Sequence, residues 1–307
     1  LTLHIETPVF VADPDYSRSA LPILLKMDAF QPSGSFKLRG LGLRCERDFA
    51  AGIRRFICAS GGNAGFAAAY AARELGASMS IVVPESTSPE ARDAIRRLGA
   101  RLDVAGNSFD DAHAHARMLA RGDGDASLLH PFDDPVLWEG HATLIDEVVA
   151  RGHDFDCVIL GVGGGGLMAG VAEGLDRHGL AHIPIIAVET FGADSLALSI
   201  EAGHVQTLPA ITSIATSLGA RAVAEHAFEL TTKRPIIPLR VTDRDAVKAC
   251  LRFADAFRVL VEPACGAALA ALDVHPDIFR PFKRPLVEIC GGIGVSLDRL
   301  TNWRIGP

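Results

Sequence analysis

Short hydrophobic runs alternate with amphipathic stretches along most of this chain. PILLKMD (22–28), FICAS (56–60), MSIVVP (79–84), RLDVAG (101–106), CVILGVG (157–163), IPIIAVE (183–189) and PLVEICGG (285–292) are compact and bounded by turn residues, which predicts strands. Between them, NAGFAAAYAARELG, SPEARDAIRRLGA and DDPVLWEGHATLIDEVVARG repeat apolar residues at helical spacing. Strand, helix, strand in this order predicts an α/β fold of parallel sheets covered by helices. Neither a fixed-period repeat nor a low-complexity tract interrupts it. Two units emerge, one over about 41–131 and a remainder beginning at HPFDDP, and the N-terminal strands fit either.

Three strands run into glycine-rich turns that open helices: ICASGGNAGFAAAY, VILGVGGGGLMAGV and VEICGGIGVSLDRL. Such a turn bares backbone N–H groups at a helix N-terminus and makes an anion site. Open α/β sheets bind ligands at these carboxyl ends of strands. The second loop also fits G-x-G-x-x-G through Gly161, Gly163 and Gly166, and the next strand ends in Glu189, 23 residues later. That matches a dinucleotide fingerprint with Glu189 on the ribose, so an NAD-dependent dehydrogenase is one reading. Gly164 and Gly165 complete four consecutive glycines, more than a dinucleotide turn requires and well suited to a compact phosphate.

QPSGSFKLRG (31–40) adds a lysine in an unusual place. Lys37 follows Ser33, Gly34, Ser35 and Phe36 at a predicted helix start, with Pro32 and Ser35 as boundary signals. The helix dipole disfavours a cation there, whereas a neutral amine escapes the penalty and is a nucleophile. A reactive lysine with two anion sites suits a phosphorylated aldehyde held as a Schiff base and the carboxylate of an amino acid. Pyridoxal phosphate fits these parts.

Composition narrows the classes. Of 307 residues 49% are hydrophobic and 22% charged, which predicts a sizeable core and no disorder. The net charge, 30 − 37 = −7, argues against nucleic acid or an anionic membrane as partner. Six cysteines (45, 58, 157, 250, 265, 290) show no CxxC and no pairing rhythm, which suits a reducing cytosol rather than disulfides or zinc. His113, His115, His130 and His141 lack metal-ligand spacing. LTLHIETPVF carries Glu6 and no basic-then-apolar pattern, so no signal peptide is expected, and no apolar run reaches the length of a membrane span.

With PSGSFKLRG, SGGNAGFAAAYAAR, PFDDPVLWEGH, GVGGGGLMAGV, VETFGADS, VEPACGAALAAL and ICGG in this order, the chain resembles the L-serine/L-threonine dehydratases, from about Thr7 to Leu300. These are fold type II, tryptophan synthase β-like pyridoxal phosphate enzymes, and the similarity is greatest to the short, animal-type serine dehydratases. The resemblance implies two open twisted parallel-sheet domains, one of 1–40 plus 132–307 and a smaller one of 41–131, with the cofactor in the cleft. It implies that Lys37 holds the cofactor as a Schiff base, Phe36 lies against the ring, Asn63 meets the ring hydroxyl and Cys290 faces the ring nitrogen. Gly163, Gly164, Gly165, Gly166 and Leu167 would bind the phosphate. Ser60, Gly61, Asn63 and Ala64 would cradle the substrate carboxylate. Lys37 would take the α-proton, and Ser60 or the cofactor phosphate would supply one to the departing hydroxyl. Serine would give pyruvate and ammonia, and threonine 2-oxobutyrate and ammonia.

The resemblance further implies a monovalent cation, potassium foremost, held by Glu189, Ala193, Ser195, Leu218 and Ala220, because one carboxylate among neutral oxygens suits magnesium poorly. A cytoplasmic homodimer is implied as well. Serine racemase activity and a catalytically dead amino-acid-binding protein are further readings. Two departures from the family pattern stand out. Gly61 replaces alanine found in some relatives, which predicts added space beside the substrate. The end at TNWRIGP leaves no room for a C-terminal regulatory domain, so feedback inhibition by isoleucine through one is not expected.

Overall fold

A computed structural model describes residues 2–18, 20–122 and 124–305. Among them the strands are β1 (Val9–Ala12), β2 (Ile23–Lys26), β3 (Arg55–Ala59), β4 (Ser78–Val83), β5 (Arg101–Val104), β6 (Ala126–Leu129), β7 (Cys157–Gly161), β8 (Ile185–Thr190), β9 (Ile236–Val241) and β10 (Pro285–Glu288). They form a six-stranded sheet in the order β1-β2-β10-β7-β8-β9 and a four-stranded sheet in the order β5-β4-β3-β6. All neighbours are parallel except β1 and β2, which pair antiparallel with Val9 opposite Lys26. Helices cover both sheets, so inner strands such as β8 are buried along their whole length and read as continuous apolar runs.

Several predicted strands end sooner than their apolar runs. CVILGVG stops at Gly161 and PLVEICGG at Glu288, which leaves both glycine turns outside the sheet. Three strands lack a clear signal in the sequence. β1 and β6 have only four residues each, and β9 contains Pro238, which usually argues against a strand. β9 lies at the sheet edge, where a missing N–H costs no ladder bond. The predicted helices appear as Asn63–Leu75, Pro89–Arg97 and Pro135–Ala150. None of the described helices is long and apolar enough to cross a membrane.

The helix Lys37–Ala50 begins at Lys37 itself, with Phe36 as N-cap and no side-chain cap. Ser35, expected as a boundary signal, does not cap it. Its hydroxyl is buried without a partner, and its backbone bridges to Gly291. Within the first turn of this helix, the fully buried Arg39 guanidinium donates to Asp28 Oδ2 (2.6 Å) and Oδ1 (2.7 Å) and to Glu147 Oε1 (2.6 Å) and Oε2 (2.8 Å). Lys26 joins the cluster through Glu147 and the carbonyl of Thr7. Burial alone would raise the Asp28 carboxyl, but the Arg39 charge and its hydrogen bonds hold it below the ordinary value. The cluster fixes the first turn of the helix against β2 and the helix Pro135–Ala150.

Each sheet has one point where strand order reverses: between β7 and β10 in the larger, between β3 and β6 in the smaller. Loops leaving neighbouring strands there part to opposite sides and open a crevice at the carboxyl ends. The loops at the two crevices are 162–165 with 289–296, and 60–62 with 130–134. They face one cavity.

Candidate active site

That cavity has a volume of about 1100 Å³ and is lined from both sheets. Phe36 and Lys37 lie on its wall, together with Ser60, Gly61, Asn63 and Ala64 after β3, Gly163 to Gly166 and Leu167 after β7, and Cys290 after β10. Lys37 and Cys290, 253 positions apart, thus share one space.

Lys37 Nζ donates to the carbonyl of Pro131 at 2.6 Å and lies 5.1 Å from the centre of the Phe36 ring. Burial without a facing carboxylate bond drives its amine down to about 8, with nearby Cys58, Cys290 and Glu262 opposing the shift. A neutral fraction of about a tenth at pH 7 follows. Phe36 is braced from behind by His141, ring centres 5.0 Å apart.

The four-glycine loop is shaped by contact. Gly165 takes a left-handed φ of +88° as the N-cap of the helix Gly166–Arg177, and no side chain caps that helix. Its first N–H groups therefore remain for a ligand. A β-carbon at Gly164 would stand 2.3 Å from the Phe132 ring, so a side chain there would collide with it. Phe132 and Pro131 were legible in the sequence only as part of PFDDPVLWEGH; the structure makes them the opposite wall.

In the first loop, Ser60 Oγ accepts the Gly62 N–H at 3.2 Å. Asn63 opens its helix, buried, with Nδ2 donating to Glu262 Oε1 at 2.6 Å and to Ser217 Oγ at 3.4 Å. Its Oδ1 accepts the Ile293 N–H at 3.1 Å. The space expected from Gly61 is absent. A β-carbon there would meet Thr87 Cγ2 at 2.8 Å and Oγ1 at 3.0 Å, so the threonine already fills the room of the missing methyl.

Cys290 is buried and hydrogen-bonded with Cys265; that bond and burial push its thiol well above the ordinary value, so it stays a neutral thiol. Glu262 was not singled out from the sequence, although it stands in VEPACGAALAAL. It lines the cavity, and burial raises its carboxyl to about 7 against hydrogen bonds from Ser217 and Asn63 and the charge of Lys37.

The five residues tied to a cation divide. Leu218 and Ala220 line the cavity, whereas Glu189, Ala193 and Ser195 lie fully buried beside it. Both Glu189 oxygens accept backbone N–H groups, from Leu196 (2.9 Å) and Ala197 (2.8 Å), at the start of the helix Ser195–Ala202. Burial raises this carboxyl to about 8 despite those bonds. Ser195 Oγ is buried without a partner. No cluster of three or more His, Cys, Asp or Glu suited to a metal occurs among the described residues.

Comparison with known proteins agrees with this geometry. The chain is 41% identical to the human "L-serine dehydratase/L-threonine deaminase" over 97% of this chain and 94% of the relative. It is 46% identical to the human "Serine dehydratase-like" protein, covering 97% and 93% of the two chains. The crystal structure of a fungal L-serine ammonia-lyase from Rhizomucor miehei superposes with a TM-score of 0.91 at 34% identity, over 100% of this chain and 99% of that one. A family model described as "Pyridoxal-phosphate dependent enzyme" matches residues 1–291, and the chain belongs to that family.

Proposed function

We propose that this protein is a pyridoxal-phosphate-dependent L-serine/L-threonine ammonia-lyase, converting L-serine to pyruvate and ammonia and L-threonine to 2-oxobutyrate and ammonia. One observation carries the reading: a half-buried lysine with a lowered pKa and an uncapped glycine-lined helix N-terminus share a cavity at the switch points of both sheets. The residues fit the cofactor, since the flat loop under Phe132 has no room for side chains and offers N–H groups to a phosphate. Lys37, Phe36, Asn63, Gly163 to Gly166, Leu167 and Cys290 would hold it. When bound, it supplies the electron sink that acidifies the substrate α-carbon.

The chain's own groups divide the remaining work. Lys37 Nζ, neutral in good part near pH 8, is the base for the α-proton. Gly61, Asn63 and Ala64, at the start of a helix, with Ser60 orient the substrate carboxylate. Ser60 Oγ is the protein's donor to the departing β-hydroxyl. Cys290, as a neutral thiol, would offer the bound cofactor no ionic partner, which would suit loss of the hydroxyl better than racemisation.

A monovalent cation, potassium, at Glu189, Ala193, Ser195, Leu218 and Ala220 belongs to the same proposal, supported by the buried Glu189 carboxylate and the unpartnered Ser195 hydroxyl. So does a cytoplasmic homodimer. The two sheets support a smaller domain of 41–131 and a larger one of 1–40 with 132–307, the helix Lys37–Ala50 crossing their boundary. The test is product analysis with L-serine and L-threonine. Equal amounts of 2-oxoacid and ammonia are expected, with turnover lowered at least about a thousandfold in Lys37→Ala because base and cofactor anchor are lost together. Wild-type rates in that variant overturn the assignment.

A further inference from the structure

We propose that Glu262 is a positioning residue that orients Asn63 toward the cofactor and links the two sheets across the cavity. This inference rests on the cofactor site proposed above. Glu262 precedes the helix Pro263–Val274, which packs on β7 and β8 of the larger sheet. At that position a short polar side chain such as aspartate ordinarily accepts an N–H from the first turn. Here the side chain makes no such bond. It reaches instead to Asn63, which follows β3 of the smaller sheet.

Two contacts leave Asn63 one orientation. The Ile293 N–H can only donate, so it faces Oδ1; the ionised Glu262 carboxylate can only accept, so it faces Nδ2. At 3.4 Å, the Nδ2 contact to Ser217 Oγ is near the outer limit of a hydrogen bond, so the second N–H remains available to an acceptor in the cavity. Glu262 is itself confined. A β-carbon at Gly292, whose φ is +134°, would lie 2.3 Å from both Cγ and Cδ of Glu262, so the carboxylate occupies space that only glycine leaves free. Its own N–H donates to the Gly291 carbonyl at 3.3 Å, fixing the backbone to the same turn. Three segments therefore meet at one carboxylate: the start of the helix after β3, the turn after β10, and the segment carrying Ser217.

Proton occupancy of this acid changes close to neutrality, its carboxyl being raised to about 7. Lys37 is the charged group that faces it, and the thiols of Cys290 and Cys250 also feel its charge. As pH falls through that value the charge-assisted bond to Asn63 weakens, and cofactor affinity declines with it.

Equilibrium dialysis of the full-length apoenzyme against pyridoxal phosphate, from about pH 6 to about pH 8.5, tests the inference without reference to turnover. Glu262→Ala is expected to weaken the dissociation constant about tenfold or more, the effect of losing a hydrogen bond to a charged group. Glu262→Gln, whose amide oxygen still accepts from Asn63, is expected to recover most of that loss near pH 8 and to weaken less than the wild type toward acid, keeping only the loss that protonation of Lys37 gives every variant. Affinity in Ala within about twofold of wild type, Gln no better than Ala, or an unchanged acid limb in Gln each overturn the positioning role. Should the Ala variant not fold, the comparison of Gln with wild type across pH decides alone. Absence of cofactor uptake by the wild type overturns the reading of the site as well, which separates the two failures.

Discussion

The lowered pKa of Lys37 has a chemical consequence that can be measured without substrate. At pH 7 a lysine titrating at about 8 is neutral in about one molecule in eleven, against about one in three thousand for a lysine at the ordinary value of 10.5. Per accessible amine, Lys37 should therefore react roughly 300-fold faster with an acylating reagent near pH 7. The perturbation is a pH series of brief acetic anhydride labelling on cofactor-free protein. The readout is mass spectrometry of the peptide carrying Lys37, with exposed Lys233, Lys248 and Lys283 as internal references for reagent and time. The sign follows from burial: the native site disfavours the proton, so labelling should rise tenfold per pH unit below about 8 and level off above it. The same depression means that protein stability gains between about pH 8 and about pH 10.5, where the unfolded lysine still holds its proton and the native one does not. Labelling of Lys37 that keeps climbing tenfold per unit from pH 8 to pH 10 would refute the reasoning. In that case the contact with the Pro131 carbonyl holds an ammonium rather than an amine.

Two further outcomes are expected. Activity should depend on potassium and fall when it is replaced by a bulky organic cation, and Glu189→Gln should abolish that dependence; equal rates in both salts would remove the cation from the proposal. Arg39→Met should lower unfolding stability by about 3–5 kcal/mol, because Asp28 and Glu147 lose their shared partner inside the protein. Asp28, held below its ordinary pKa in the wild type, contributes stability above about pH 4 that is lost at lower pH; the variant should lose that slope in urea denaturation across the acid range. A variant within about 1 kcal/mol of wild type would refute the role of the cluster.

Much of the fold was legible because parallel strands buried on both faces leave unbroken apolar runs, as in IPIIAVE and CVILGVG. Edge strands give no such signal. β1 is short and antiparallel, and β9 carries a proline that an inner strand would not tolerate. Of the site, the residues with distinctive chemistry could be found from sequence: Lys37 at a helix start and glycines at strand ends. Glu262 was hidden because its role depends on a partner 199 positions away, a separation no local pattern encodes. Gly61 was misread for a related reason. A glycine in a sequence announces a missing side chain, but what occupies the vacated volume is decided by Thr87, on another loop.

That shared volume also orders the routes by which the sequence can change. Alanine introduced at position 61 while Thr87 remains meets a methyl group at 2.8 Å, closer than real β-carbons pack. Shortening Thr87 first, to alanine, removes its methyl and hydroxyl and leaves room for a later methyl at position 61. The first order passes through an overpacked intermediate and the second through a small cavity, whose cost is about 1 kcal/mol. The same two substitutions are thus unequal as histories, and a lineage that exchanges this pair is expected to change position 87 before position 61.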